Sequence, residues 1–222
     1  MTRILAYCAF LHNPAISLPE IGVAGAKVQE IAHGELKLLW SDVEWPFPES
    51  TLQASAMEFH QVVSHIFSQT GVAPFRLLSV FDDQQSLADF IAAHQAGFVA
   101  DLKRLQHMVQ MECVLYFAPQ AGVRPTGTEY LQRKAELLQR TEEFVGSMKH
   151  ALADLACEIR VRESRTGGRI FVLVQRGNEK KFASIVQELP IPERLARRTS
   201  GPWPPAEFLS GAVKTPPVAG PK

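Results

Sequence analysis

Near the C-terminus the chain reads Ser200-Gly201-Pro202-Trp203-Pro204-Pro205-Ala206-Glu207-Phe208, and this run limits the fold more than any other. Its prolines fix φ near −65° and remove backbone donors, and each residue before a proline is pushed to extended geometry. The segment is therefore predicted to be neither helix nor central strand, but a stiff, extended strap. An indole on such a strap reaches a packed position at low ordering cost. Trp203 either docks on its own protein, with Phe208 anchoring the far end, or faces a partner; composition alone also admits an incidental Trp in a proline-rich tail. Burying the indole contributes roughly 1.5–3 kcal/mol, which favours docking. Beyond Ser210 there is little to bury.

Upstream, the periodicity divides into two units. Ile4 to Phe10 is a short apolar run ended by Asn13-Pro14, as for a buried strand. Residues 12–26 read as loop. Val28–Ala32 and Leu36–Trp40 flank His33-Gly34 as a hairpin, since Gly supplies positive φ. Ser50 is positioned as N-cap of a helix whose Leu52, Ala56, Phe59, Val63 and Ile66 form one apolar stripe, ended by Gly71. Leu77–Phe81 reads as a further strand. Asp82 and Asp83 offer caps for a long helix that turns Leu87, Phe90, Ile91, Phe98, Leu102, Leu105 and Met108 inward.

In the second unit, Cys113–Phe117 is strand-like, and Thr126-x-x-Glu129 is a capping box before a helix with Leu131, Ala135, Leu138, Val145, Met148, Leu152 and Leu155 on one stripe. Ile159 and Val161 alternate with charges, Gly167-Gly168 makes a turn, and Ile170–Val174 is a buried strand. Asn178 caps a last helix with Phe182, Ile185, Val186 and Leu189 inward. The order β-α-β-β-α is that of a ferredoxin-like split βαβ unit lacking at most its last strand. The fold class expected is α+β: an N-terminal α+β domain over 1–110, a ferredoxin-like domain over 111–192, and a C-terminal strap and tail over 193–222.

Net charge is zero, with 23 basic against 23 acidic side chains, so the electrostatic footprint of a nucleic-acid binder is lacking. Cys8, Cys113 and Cys157 lie outside Cys-x-x-Cys pairs and read as reduced core thiols of a cytoplasmic protein. The run Ile4–Leu11 is too short for a signal or membrane segment. His60 and His65, five apart, point to different sides of a helix and cannot share a metal as an i, i+4 pair does. No glycine run has the setting of a nucleotide cradle. Asp82-Asp83 reads as capping, and Arg194, Arg197 and Arg198 as a solvated helix turn. Catalytic, cofactor and metal residues are all expected to be none. Trp45-Pro46-Phe47-Pro48 and Pro74-Phe75 place aromatics on proline-stiffened loops, which either seal the edge of the first core or serve an interface.

The strap also carries a resemblance. Gly201–Pro205 followed by Phe208 resembles the C-terminal signature of the gas vesicle GvpF/GvpL family, with Ala206 where the family usually has Tyr. Pro74, Arg76 and Val80 match a Pro-x-Arg-Phe-Gly-Thr segment, from which Leu77-Leu78-Ser79 depart. Met111-Glu112-Cys113 falls near a Val-Glu-Trp, and Gly127 to Lys134, with Tyr130, is similar to a Gly-x-x-Tyr-Leu-x-x-Lys helix start. The motifs run in the family's order from Ile4 to Phe208. The resemblance implies a non-enzymatic accessory of gas vesicle assembly that binds the small hydrophobic shell subunit, other accessory proteins being a further partner class. Implied too are a cytoplasmic location, free or vesicle-associated, and no nucleic acid, membrane, small-molecule substrate or cofactor. The interaction motif is Pro202, Trp203, Pro204, Pro205, Phe208, Pro74, Phe75, Arg76, Tyr130, Trp45 and Phe47. The alternative is a general protein-interaction or regulatory module of the same fold without a gas vesicle role.

Overall fold

The computed structural model describes residues 1–117, 127–163, 167–193 and 195–210. It is a mixed α and β protein with two antiparallel sheets and four α-helices among the described residues. The chain forms two units, the first made of Met1–His107 together with the segment from Pro204, the second of Met108–Trp203.

The first unit is organised by β1 (Thr2–Leu11), which is buried without a break from Ile4 to Phe10. That continuous burial is why its sequence is apolar throughout instead of alternating. β2 (Gln29–His33) and β3 (Leu36–Glu44) form the expected hairpin, closed by Gly34 at φ 58°. β3 pairs with one edge of β1, while the short β4 (Ala73–Pro74) and β5 (Val80–Phe81) share its other edge. Only Val80 and Phe81 of the expected strand 77–81 are extended, because Ser79 closes a turn back to Arg76, its Oγ accepting from the Arg76 amide at 3.1 Å.

Helix α1 (Leu52–Phe67) buries Ser55, Phe59, Val62, Val63, Ile66 and Phe67. The apolar stripe is thus rotated from the expected one: Ala56 and Leu52 are exposed, and Ser55 takes the inward place. Its start also differs, because a 3-10 turn over Glu49–Thr51 precedes it and no side chain caps it. Gly71 does not end the helix. It lies buried, where an added Cβ would stand 2.7 Å from the Gln106 Cα, so close backbone packing explains it. Helix α2 (Gln84–Leu105) begins as expected, the Asp83 carboxylate accepting from the Ser86 amide at 2.7 Å. It runs unbroken through Gly97.

The second unit comprises β6 (Met108–Phe117), α3 (Gly127–Ala151), β7 (Ala156–Glu163), β8 (Gly167–Gln175), α4 (Glu179–Glu188) and β9 (Leu195–Trp203), with sheet order β7-β8-β6-β9. Met108 therefore lies on a strand and not on the preceding helix. One face of the sheet, with Val109, Met111, Cys113, Leu115, Ile170, Val172 and Val174, packs with Phe144, Met148, Leu152, Phe182 and Val186 in the core. Gly168 is needed on that face, where a Cβ would meet the Thr141 side chain of α3 at 2.5 Å.

Residues 195–203, expected as strap, are strand β9, antiparallel to β6. Pro202 is tolerated because β9 is an edge strand and need not donate outward. Arg197 and Arg198 consequently sit on a strand and not on a helix turn. Cys157, expected in the core, is exposed, because the register of β7 slips between Ala156 and Glu158 and leaves Cys157 outside the pairing. Thr126 of the expected capping box lies outside the described residues.

Candidate interaction site

The proline motif is divided between the two units, and each half is held by a polar anchor. In the first unit Pro204 and Pro205 are buried and lead into a 3-10 turn over Ala206–Phe208. Phe208 is fully buried and Leu209 nearly so. Two polar side chains of α2, one helical turn apart, hold this segment. Arg104 donates to the Phe208 carbonyl at 2.5 Å, and the Asp101 carboxylate accepts the Ser210 amide at 2.6 Å and an Arg104 N–H at 3.0 Å. Asp101 is only 4% exposed, so its charge is compensated by these donors.

Trp203, in the second unit, is half-buried, and its indole N–H donates to Ser200 Oγ at 3.2 Å. Gly201 before it has φ 127°, and a Cβ there would stand 2.9 Å from the Gln110 carbonyl. Pro202 is exposed. Tyr130 lies within α3.

The remaining motif residues belong to the first unit. Phe75 is buried in an aromatic cluster, its ring centroid 5.8 Å from Phe98, 6.1 Å from Phe90 and 6.5 Å from Phe81. Pro74 pairs with Cys8 in the sheet, whereas Arg76 is exposed. Trp45 and Phe47 are half-buried and meet edge-to-face at 5.3 Å. Phe75 thus packs in the core of the first unit, while Trp45 and Phe47 remain partly exposed.

Large apolar side chains that face water include Ile21 (65% exposed), Met57 (61%), Leu52 and Leu18 in the first unit, besides Met1, Leu78, Val161 and Ile191. The loop bearing Leu18 and Ile21 is fastened along α1: the Ala24 amide donates to Glu58, and the Ser17 amide to Gln69. Beneath it the Tyr7 hydroxyl accepts from the Val23 amide at 2.9 Å and donates to Ser41 at 3.0 Å. Burial raises the Tyr7 pKa, with the Ser41 and Val23 bonds acting the other way. A shallow hollow of about 560 Å³ opens between Leu18, Ile21, Lys27 and Val28. Leu18 and Ile21 lie in a loop without a periodic signal, Met57 falls off the apolar stripe of α1, and Leu52, expected inward, is exposed.

His60 and His65 are exposed; His60 bonds within α1 to Ser64, and His65 to the Ser17 carbonyl of the loop. Among the described residues no cluster of His, Cys, Asp or Glu could hold a metal. None of the described helices is long and apolar enough to cross a membrane.

A family model described as gas vesicle synthesis protein GvpL/GvpF matches residues 3–210. Among solved structures, the fold is similar to the gas vesicle protein GvpF from Anabaena sp. PCC7120, with TM-score 0.73 and 15% identity, covering 95% of this chain and 97% of that one. It is also similar to GvpF from Microcystis aeruginosa, with TM-score 0.69 and 14% identity, covering 94% and 99%. No curated protein matches the sequence.

Proposed function

Because the chain belongs to the gas vesicle GvpL/GvpF family, we propose that it is a non-enzymatic accessory protein that binds the small hydrophobic shell subunit and assists vesicle assembly in the cytoplasm. A shell wall is built from amphipathic subunits whose apolar face must be kept soluble before assembly, and a protein that captures them needs apolar groups in water. The observation that carries the reading is the exposure of Leu18 and Ile21 on the loop fastened to α1 at Glu58, with Met57 exposed on the helix next to that anchor, while Phe75 and Phe208 are buried. In this reading the capture surface is the loop bearing Leu18 and Ile21 with Met57 of α1, and the proline-aromatic motif supports it by packing. The order β6-α3-β7-β8-α4-β9 supports a ferredoxin-like second unit with its last strand supplied by β9.

The test is a pull-down with the shell subunit from the same source. Retention should persist between about 0.1 and about 1 M salt, since apolar contacts are not screened. The double variant Ile21→Asp/Met57→Asp should lose retention with its melting temperature unchanged. Loss of wild-type binding at moderate salt, or no binding at all, would favour a general interaction module of the same fold.

A further inference from the structure

The face of the second unit's sheet that points away from α3 and α4 carries a row of like charges. β7 places Arg162 directly opposite Arg169 of β8, and Val114 of β6 pairs both with Arg169 and with Arg198 of β9. Side chains paired across antiparallel strands share a face. The row Arg162, Arg169, Val114, Arg198 therefore crosses all four strands, over about 14 Å at ordinary strand spacing. That this is the face away from the helices follows from its neighbours. Gly168 abuts Thr141 of α3, and Arg197 donates to the Leu189 carbonyl at the end of α4. Arg169 and Arg198, one position along, thus point the other way.

All three arginines of the row are exposed. Arg169 is also held in place: its Nε donates to Glu112 at 2.6 Å, and its guanidinium lies 5.4 Å from the Phe171 ring centroid. Glu112 in turn accepts from Ser200, and Ser200 from the Trp203 indole. In the next row Arg160 pairs with Glu158 at 2.6 Å. In the described strands this face thus sets four arginines against two glutamates.

We infer that this arginine row is a docking surface for an acidic polypeptide segment. Guanidinium groups bind carboxylates through paired, planar N–H donors. A carboxylate-rich segment supplies the acceptors that guanidinium donors bind, and a chain of zero net charge lacks the wider basic field that a nucleic acid requires. The inference is independent of shell-subunit capture, which uses the first unit and is insensitive to salt.

The experiment measures binding of a fluorescent poly-glutamate peptide to the full chain, with a single-stranded RNA of similar length as competitor. Poly-glutamate should bind, weaken steeply with salt, and bind at least about tenfold more weakly to Arg162→Gln/Arg198→Gln. That variant should keep a cooperative thermal unfolding transition, which separates lost binding from a lost fold. Arg162→Lys/Arg198→Lys, which keeps the charge but loses the fork, should fall between the two. Absence of wild-type binding, equal binding by the Gln variant, or tighter binding of the RNA at the same salt would each overturn the proposal.

Discussion

Asp101 and Ser210 lie 109 residues apart, yet the Ser210 amide donates to the Asp101 carboxylate at 2.6 Å. The bond seats the buried Phe208 and Leu209 on α2, and Arg104 braces it by reaching both Asp101 and the Phe208 carbonyl. A carboxylate that accepts several donors in a dry site holds its segment more firmly than a neutral acceptor does.

Asp101→Ala should therefore cost about 2–3 kcal/mol, the loss of charge-assisted bonds plus stranded donors. Thermal unfolding should drop by about 5–10 °C for a chain of this length. Limited proteolysis should begin to cut at 204–210 in the variant. Unchanged melting together with unchanged protease resistance would show that Asp101 does not secure this segment.

Gly201→Ala tests the edge strand. At φ 127°, with 2.9 Å separating a new Cβ from the Gln110 carbonyl, alanine must strain or displace β9. The expected cost is about 2–3 kcal/mol, read as a lower denaturant midpoint. A neutral result would mean that β9 can shift without penalty.

The three cysteines should separate by reactivity and by pH. A thiol reagent should modify only Cys157 in the native protein and all three after denaturation, because Cys8 and Cys113 are buried. Burial pushes both of those thiols up to about 12 from an ordinary 9.0. Below 9.0 both states hold the protons and the contribution is fully present. As pH rises toward about 12 the unfolded chain ionises first, so stability falls by up to about 1.4 kcal/mol per pH unit for each thiol. Replacing both by Ala should flatten that alkaline slope; an unaltered slope would refute the assignment.

Several elements were readable from the residues alone: the hairpin around Gly34, the Asp83 cap, and the continuous apolar run of β8 all follow from local chemistry. The departures occur where a distant partner decides. Leu195–Trp203 contains paired arginines and a proline, poor strand material, and becomes a strand because β6 offers it an edge. Ser55 replaces Ala56 in the buried face of α1 through a rotation of one position that apolar spacing does not fix. The Cys157 slip depends on the pairing of β7 with β8. The resemblance singled out the proline and aromatic residues, but not which of them face water. That depends on packing, as the buried Phe75 and the exposed Ile21 illustrate.

The return of the chain at Pro204 also bears on synthesis. Phe208 and Leu209 complete the core of the first unit, yet they are translated only after every residue of the second. As the chain emerges, the first unit to appear is the last to be finished, and its unfilled apolar seat on α2 stays open meanwhile. Folding of this protein on the ribosome should therefore be paced by release of residues 204–210 and not by the order in which its units emerge.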